Sequence, residues 1–178
     1  MKRLCSQTIE IALPADKVFA FVANLPQWPV WVSFIVCAQQ HGEPQPRPLE
    51  PGQEIDVCLR RGSGRDCEQF EVVQFVSGAF VCLEGSLSAA RRIEFRFEQR
   101  RSATRLNARI GYPVFGGALG ALYDTLFVHS AVNGALRRSL AALKTTLEES
   151  ELPKSRTSGQ GGDGEEAPSG SAKHTAVA

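Results

Sequence analysis

The stretch ALGALYDTLFVHSAVNGALRRSLAALKTTL, residues 118–147, decides how the chain is read. Leu119, Leu122, Tyr123, Leu126, Leu136, Leu140, Leu143 and Leu147 recur at the spacing of a helix with 3.6 residues per turn, which predicts one apolar stripe. At 1.5 Å of rise per residue such a helix is roughly 45 Å long. Strand-like segments joined by short turns precede it. A long helix that follows an antiparallel sheet packs across the concave face of that sheet. The polar residues His129, Ser130 and Asn133 on the stripe make a cavity between the two worth considering.

Upstream, Gln7–Leu13 alternates with Ile9, Ile11 and Leu13 on one face and predicts a strand. Pro14-Ala15-Asp16 opens a short helix over Lys17–Val22, with Val18, Phe19 and Val22 inward. Residues 24–31 predict a second helical turn broken by Pro26 and Pro29. Phe34–Gln40 is the next strand, and the proline-rich residues 41–52 a surface loop. Four more strands follow over Gln53–Arg60, Asp66–Val76, Ala79–Ser86 and Arg91–Arg100. The second of these shifts parity near Val72-Val73, the mark of a bulge. In the last, Ile93, Phe95 and Phe97 oppose Arg92, Glu94, Arg96 and Glu98. Thr104–Val114 completes the sheet, with Leu106, Ala108, Ile110 and Tyr112 inward, and Gly116-Gly117 separates it from the long helix. Segregated strands and helices predict an α+β domain over residues 1–152. Residues 153–178 are rich in Ser, Gly, Thr, Glu and Lys, too polar to offset their ordering entropy, and predict a disordered tail.

Composition narrows the function classes. Apolar residues make up 43% of the 178, and the formal net charge is +1, so no global charge points to nucleic acid or an anionic membrane. No apolar run approaches the roughly 20 residues of a membrane span, and no apolar leader precedes the first strand, so a cytoplasmic location is the default expectation. The five cysteines are scattered and lack a CxxC pair, which predicts reduced, strand-packed thiols, no metal site and no cofactor. The arginines of the last two strands, Arg92, Arg96, Arg105 and Arg109, point outward and interleave with Glu94 and Glu98. That pattern predicts cross-strand ion pairs on a solvated face rather than a nucleic-acid platform, whose aromatics would share the basic face. Gly116, Gly117 and Gly120 lack the Lys-Ser/Thr ending of a phosphate loop and read as a hinge.

The opening TIEIALPADKVFAFVANLPQWPVWV, with Pro14, Asp16, Val18, Phe19, Trp28 and Trp31, resembles the start of the START-like, or SRPBCC, superfamily. The ending LRRSLAALKTTLEE is similar to that family's last helix, so the resemblance covers residues 4–150. It implies a helix-grip fold, in which a curved antiparallel sheet of about seven strands wraps the long helix and two short helices support it. It also implies a hydrophobic cavity between sheet and helix. Members bind lipids, sterols, quinones, polyketides or plant hormones there, and some cyclise or dehydrate the bound ligand. No catalytic motif runs through the family, so none is carried over, and a shared fold does not specify function.

Within that frame His129 and Asn133, one helical turn apart, would offer hydrogen bonds to a ligand. His129 is the weak candidate for acid–base work, since its ordinary pKa lies near neutrality; the plainer reading is a core His and Asn satisfied by the protein. Tyr112 and Tyr123 would flank the cavity mouth. Phe95, Phe97, Leu126, Ile110 and Val57 would form wall or core, and Trp28 and Trp31 an anchor or a lid. Three functions follow: a binding or transport protein for a small hydrophobic ligand, a polyketide cyclase or dehydratase, or an interaction module with a filled core. No carboxylate falls securely among the inward positions, which favours binding over catalysis; a buried ionisable pair would reverse that preference.

Overall fold

The period-two alternation of the first two-thirds of the chain becomes seven strands, and the 3.6-residue periodicity of the last third becomes a helix laid across them. The structure is a computed structural model that describes residues 2–43, 47–61, 64–86, 88–114 and 116–151, so the expected tail, 153–178, lies outside the described residues. In chain order come β1 (Lys2–Ile11), α1 (Ala15–Ala23), a 3-10 turn (Leu25–Gln27), α2 (Trp28–Trp31), β2 (Ile35–Gln40) and β3 (Glu54–Arg61). Next are β4 (Gly64–Val76), β5 (Phe80–Gly85), β6 (Ser88–Arg100), β7 (Ala103–Pro113), α3 (Gly117–Tyr123), a π turn (Asp124–Val128) and α4 (His129–Glu151). All strand pairs are antiparallel, in the spatial order β1-β7-β6-β5-β4-β3-β2. This is the expected helix-grip fold.

The expected bulge falls where the parity shift placed it. Val72 pairs with Leu83 and Gln74 with Cys82, leaving Val73 as the extra residue. Its effect is to turn Phe75 inward, where its ring lies 5.4 Å from that of Phe19 on α1. Phe19 in turn packs 5.2 Å from Phe97, so one bulge joins α1 to two strands. Trp28, Trp31 and Phe95 form a second aromatic cluster with centroids 6.0–6.3 Å apart. Both tryptophans are buried, so they anchor the short helices to the sheet. Trp28 Nε1 donates to the Val22 carbonyl at 2.8 Å, which ties α2 to α1.

Leu136, Leu140, Leu143 and Leu147 form the buried stripe of α4, each contributing about 1.5–3 kcal/mol of apolar burial. The last turns are strapped to the end of β1: Lys144 Nζ donates to the Glu10 carbonyl at 2.9 Å, and the Ala12 amide donates to Glu148 at 2.9 Å. The single continuous stripe expected from Leu119 onward is corrected. The π turn holds one more residue per turn than an α-helix and so rotates what precedes it off the α4 stripe. Leu122, Tyr123 and Phe127 are therefore exposed, and the rings of Tyr123 and Phe127 pack on each other at 5.2 Å.

The expectation of five reduced thiols is also corrected. Cys58 and Cys67 stand directly opposite on β3 and β4 and form a disulfide, while Cys5, Cys37 and Cys82 remain thiols. Spacing along the chain carries no sign of this, because the pairing follows from the β3–β4 register. β1 begins five residues earlier than read, at Lys2, because Lys2–Ser6 completes its ladder against β7.

Candidate functional site

Strand parity decides which polar side chains enter the space between sheet and helix. On β1 the inward set is Arg3, Cys5, Gln7, Ile9 and Ile11, since Ile11 and Cys5 are buried while Leu4 and the even positions are open. The polar members of that set meet the helix. His129 Nδ1 lies 3.5 Å from Cys5 Sγ and 3.4 Å from the Tyr112 hydroxyl. One turn on, Asn133 Oδ1 accepts from Gln7 Nε2 at 2.8 Å. One turn back, Arg3 donates to Thr125 Oγ1 at 2.5 Å. His129 and Asn133 thus sit side by side as expected, half-buried and facing β1.

A further inward polar pair escaped the sequence reading. Val57 is buried and pairs with Glu68, and Ile55 pairs with Phe70, so Glu68 shares the concave face with the core. Its side chain is 7% exposed and ion-paired with Arg91, which has the inward parity of Ile93, Phe95 and Phe97 on β6. The other carboxylate oxygen, Glu68 Oε1, is buried and has no hydrogen-bond partner among the described residues. The expectation that no carboxylate falls securely inward is therefore corrected: Glu68, buried and ion-paired with the partly exposed Arg91, lies on the concave face. The available signal was parity, since Glu68 alternates in phase with Phe70 and Val72. Glu84, by contrast, faces outward and pairs with Arg92.

Arg92 stands opposite Gly111, so Arg91 lies one step along the same register beside Tyr112. Glu68, Arg91, Tyr112, Cys5 and His129 consequently line one end of the concave face, drawn from β4, β6, β7, β1 and α4. Most of the remainder of that face is apolar, with Phe95, Phe97 and Val57 buried and Ile110 partly so, while Gln7, Gln40 and Thr104 are further inward polar residues. Tyr123, expected near the mouth, is instead on the open side of the helix at 62% exposure. The side chain of Leu126 lies outside the described residues.

A cavity of about 710 Å³ lies at the opposite end, beneath α1. Phe19, Leu25, Leu49 and Phe75 line it together with Asp16, Gln40 and Arg47, and none of the expected ligand residues does. Gln40 is buried there and clamps the loop, donating to the Arg47 carbonyl at 2.8 Å and accepting from its amide at 3.0 Å. On the outer face Arg92 pairs across strands with Glu84 and Arg109 lies 4.0 Å from Glu94, as cross-strand pairing predicts, while Arg92 with Glu94 and Arg100 with Glu98 at 3.0 Å pair along β6 itself. Among the described residues no helix is long and apolar enough to cross a membrane, and no group of three or more His, Cys, Asp or Glu is arranged to hold a metal ion.

A sheet gripping a helix, with a mainly apolar concave face and a few inward polar groups, has the form of a ligand-holding domain. The family model described as polyketide cyclase / dehydrase and lipid transport matches residues 4–148. The chain belongs to this family. No curated protein sequence matches it. Among solved structures, TTHA0849 from Thermus thermophilus superposes with a TM-score of 0.66 at 10% identity, covering 84% of this chain and 99% of its own. The Zhui aromatase/cyclase from Streptomyces sp. R1128 gives 0.65 at 13% identity, covering 84% and 95%. A START superfamily protein from Mycobacterium smegmatis gives 0.63 at 14% identity, covering 82% and 97%. At such identities the likeness is one of fold. For this member of the polyketide cyclase / dehydrase and lipid transport family, the residues themselves must carry any narrower reading.

Proposed function

We propose that the domain binds a small, mainly apolar molecule between the concave face and α4, with the molecule's polar end held among Glu68, Arg91, Tyr112 and His129. The observation that carries this reading is Glu68 Oε1, a buried acceptor without a partner among the described residues, on a mainly apolar wall. Leaving such an atom unsatisfied costs about 1–3 kcal/mol, which a ligand donor would offset. The fitting ligand is therefore an apolar body ending in a hydroxyl, such as a phenolic polyketide, a reduced quinone or a hydroxylated lipid. Asn133 has its oxygen engaged by Gln7, so a ligand would meet it through the amide N–H. Apolar burial, at about 25 cal/mol per Å², would supply most of the affinity.

The second reading is an enzyme of the cyclase or dehydratase type. The Glu68–Arg91 pair favours it, because two ionisable groups and a phenol on one wall, with a histidine on the facing helix, are the parts that proton transfer requires. In an aldol closure one group removes the proton from the carbon next to one carbonyl, that carbon bonds to the carbon of a second carbonyl, and another group protonates the second carbonyl's oxygen as its C=O π bond breaks. The Zhui aromatase/cyclase, which shares the fold, carries out chemistry of this kind by its name.

The test is native mass spectrometry of the purified protein, followed by titration with matched ligands that carry or lack a terminal hydroxyl. Binding of the hydroxyl form, weakened about tenfold by Glu68→Leu and unchanged by Ala20→Trp in the α1 cleft, is the expected result. Loss of binding in Ala20→Trp alone would move the site to that cleft. Turnover of a bound polyketide chain, abolished by His129→Ala, would establish the enzyme.

A further inference from the structure

Three cysteines stand abreast on the outer face of the sheet. Cys37 on β2 is directly opposite Cys58 on β3, and Cys58 is directly opposite Cys67 on β4. All three share one face, because the neighbouring row of Ala38, Val57 and Glu68 faces inward. Cys58 and Cys67 are bonded with their Cα atoms 3.9 Å apart; Cys37 is free, half-buried, and on the edge strand. A central disulfide sulfur therefore has a bonded sulfur's strand on one side and a free thiol's strand on the other, at the roughly 4.8 Å spacing of neighbouring strands.

That row has the order of cysteines that thiol–disulfide exchange needs. The attacking sulfur approaches a disulfide sulfur along the line of the bond that breaks, opposite the leaving sulfur. Cys37, Cys58 and Cys67 lie in that order across three strands. We infer that this face is a thiol-exchange site, in which Cys37 displaces Cys67 from Cys58 and leaves Cys67 as the thiol that reacts with small-molecule disulfides.

The step balances without an added oxidant. Cys37 loses its proton to solvent, and its thiolate attacks Cys58 Sγ. The Cys37–Cys58 bond forms, the Cys58–Cys67 bond breaks, and Cys67 departs as a thiolate. Cys67 is exposed, whereas Cys58 is buried, so the new thiolate is the accessible one. It then attacks a small disulfide RSSR; a mixed disulfide forms on Cys67 and one RS⁻ leaves. Cys5 and Cys82 are buried at 1% and 0% exposure and stay outside this chemistry.

The experiment is incubation of the full chain with oxidised glutathione near pH 8, followed by acid quenching, alkylation and digestion at arginine and glutamate, which separates Cys37, Cys58 and Cys67. The wild type is expected to show glutathione on Cys67 together with a Cys37–Cys58 bond. Cys37→Ser, at a half-buried edge position where folding is checked by circular dichroism, is expected to keep Cys58–Cys67 intact and to lower glutathione incorporation at least tenfold. Glutathione on Cys37 with Cys58–Cys67 undisturbed would overturn the inference, as would equal labelling of Cys67 in the variant or no labelling in the wild type.

Discussion

Glu68 and Arg91 form an ion pair across the concave side of the sheet, between strands β4 and β6 that flank β5. They meet because Glu68 lies beyond Phe70, the residue paired with the last residue of β5, Gly85, so no β5 residue stands between them. Glu68 is almost wholly buried, while Arg91 keeps 42% of its side chain exposed. The arginine thus bridges solvent and interior.

Removing one partner is expected to cost more than removing both. Arg91→Ala leaves a buried carboxylate uncompensated and should destabilise by about 1–3 kcal/mol, below the full value for a buried pair because Arg91 is partly solvated. The double substitution Glu68→Leu with Arg91→Met removes the charge altogether and should cost less. Urea unfolding of the three proteins checks the order, and a double variant weaker than Arg91→Ala would contradict it.

Gln7 and Asn133 offer a cleaner measure of how β1 holds the helix, since each is half-buried and they join at 2.8 Å. A double-mutant cycle with Gln7→Ala and Asn133→Ala should give a coupling of about 0.5–1.5 kcal/mol. Additive effects would mean that the contact holds nothing.

Val73 is 38% exposed yet sets the phase of β4. Val73→Ala should change stability by less than about 0.5 kcal/mol. Deleting Val73 would remove the bulge yet keep Gln74 opposite Cys82 and Phe75 opposite Val81, so Phe75 should stay against Phe19 and the loss should remain well below the about 3–5 kcal/mol of truncating a core phenylalanine. Thermal unfolding of the two proteins checks both limits, and a deletion as costly as a lost core phenylalanine would contradict the register.

His41 should titrate above the ordinary histidine value of about 6.5. The hydrogen bond from its ring to Asp56, at 3.0 Å, is the main cause, and the Asp56 charge adds to it. The pair favours the protonated form, so its contribution to stability is complete below the unfolded pKa and is lost as pH rises through the folded one. An NMR titration should show the His41 midpoint fall towards the ordinary value in Asp56→Asn; an unchanged midpoint would remove the pair as the cause.

Strand and helix identity was legible in the sequence because it depends on the spacing of apolar residues a few positions apart. Ile93, Phe95 and Phe97 alternate, Leu136, Leu140, Leu143 and Leu147 recur by turns, and the parity shift at Val72-Val73 marks a bulge. These local patterns predict an α+β domain with a long helix across an antiparallel sheet, and the resemblance of the opening and the last helix to the START-like superfamily implies its helix-grip form. What they did not decide depends on which distant residues become neighbours. The π turn that exposes Tyr123 leaves no trace in residue spacing, because it is a choice of hydrogen-bond partner within a helix that forms either way. The disulfide, the Glu68–Arg91 pair and the contacts of His129 and Asn133 with β1 arise from register between strands and from where the helix lands. Register is a property of paired backbones, and only the assembled sheet supplies it.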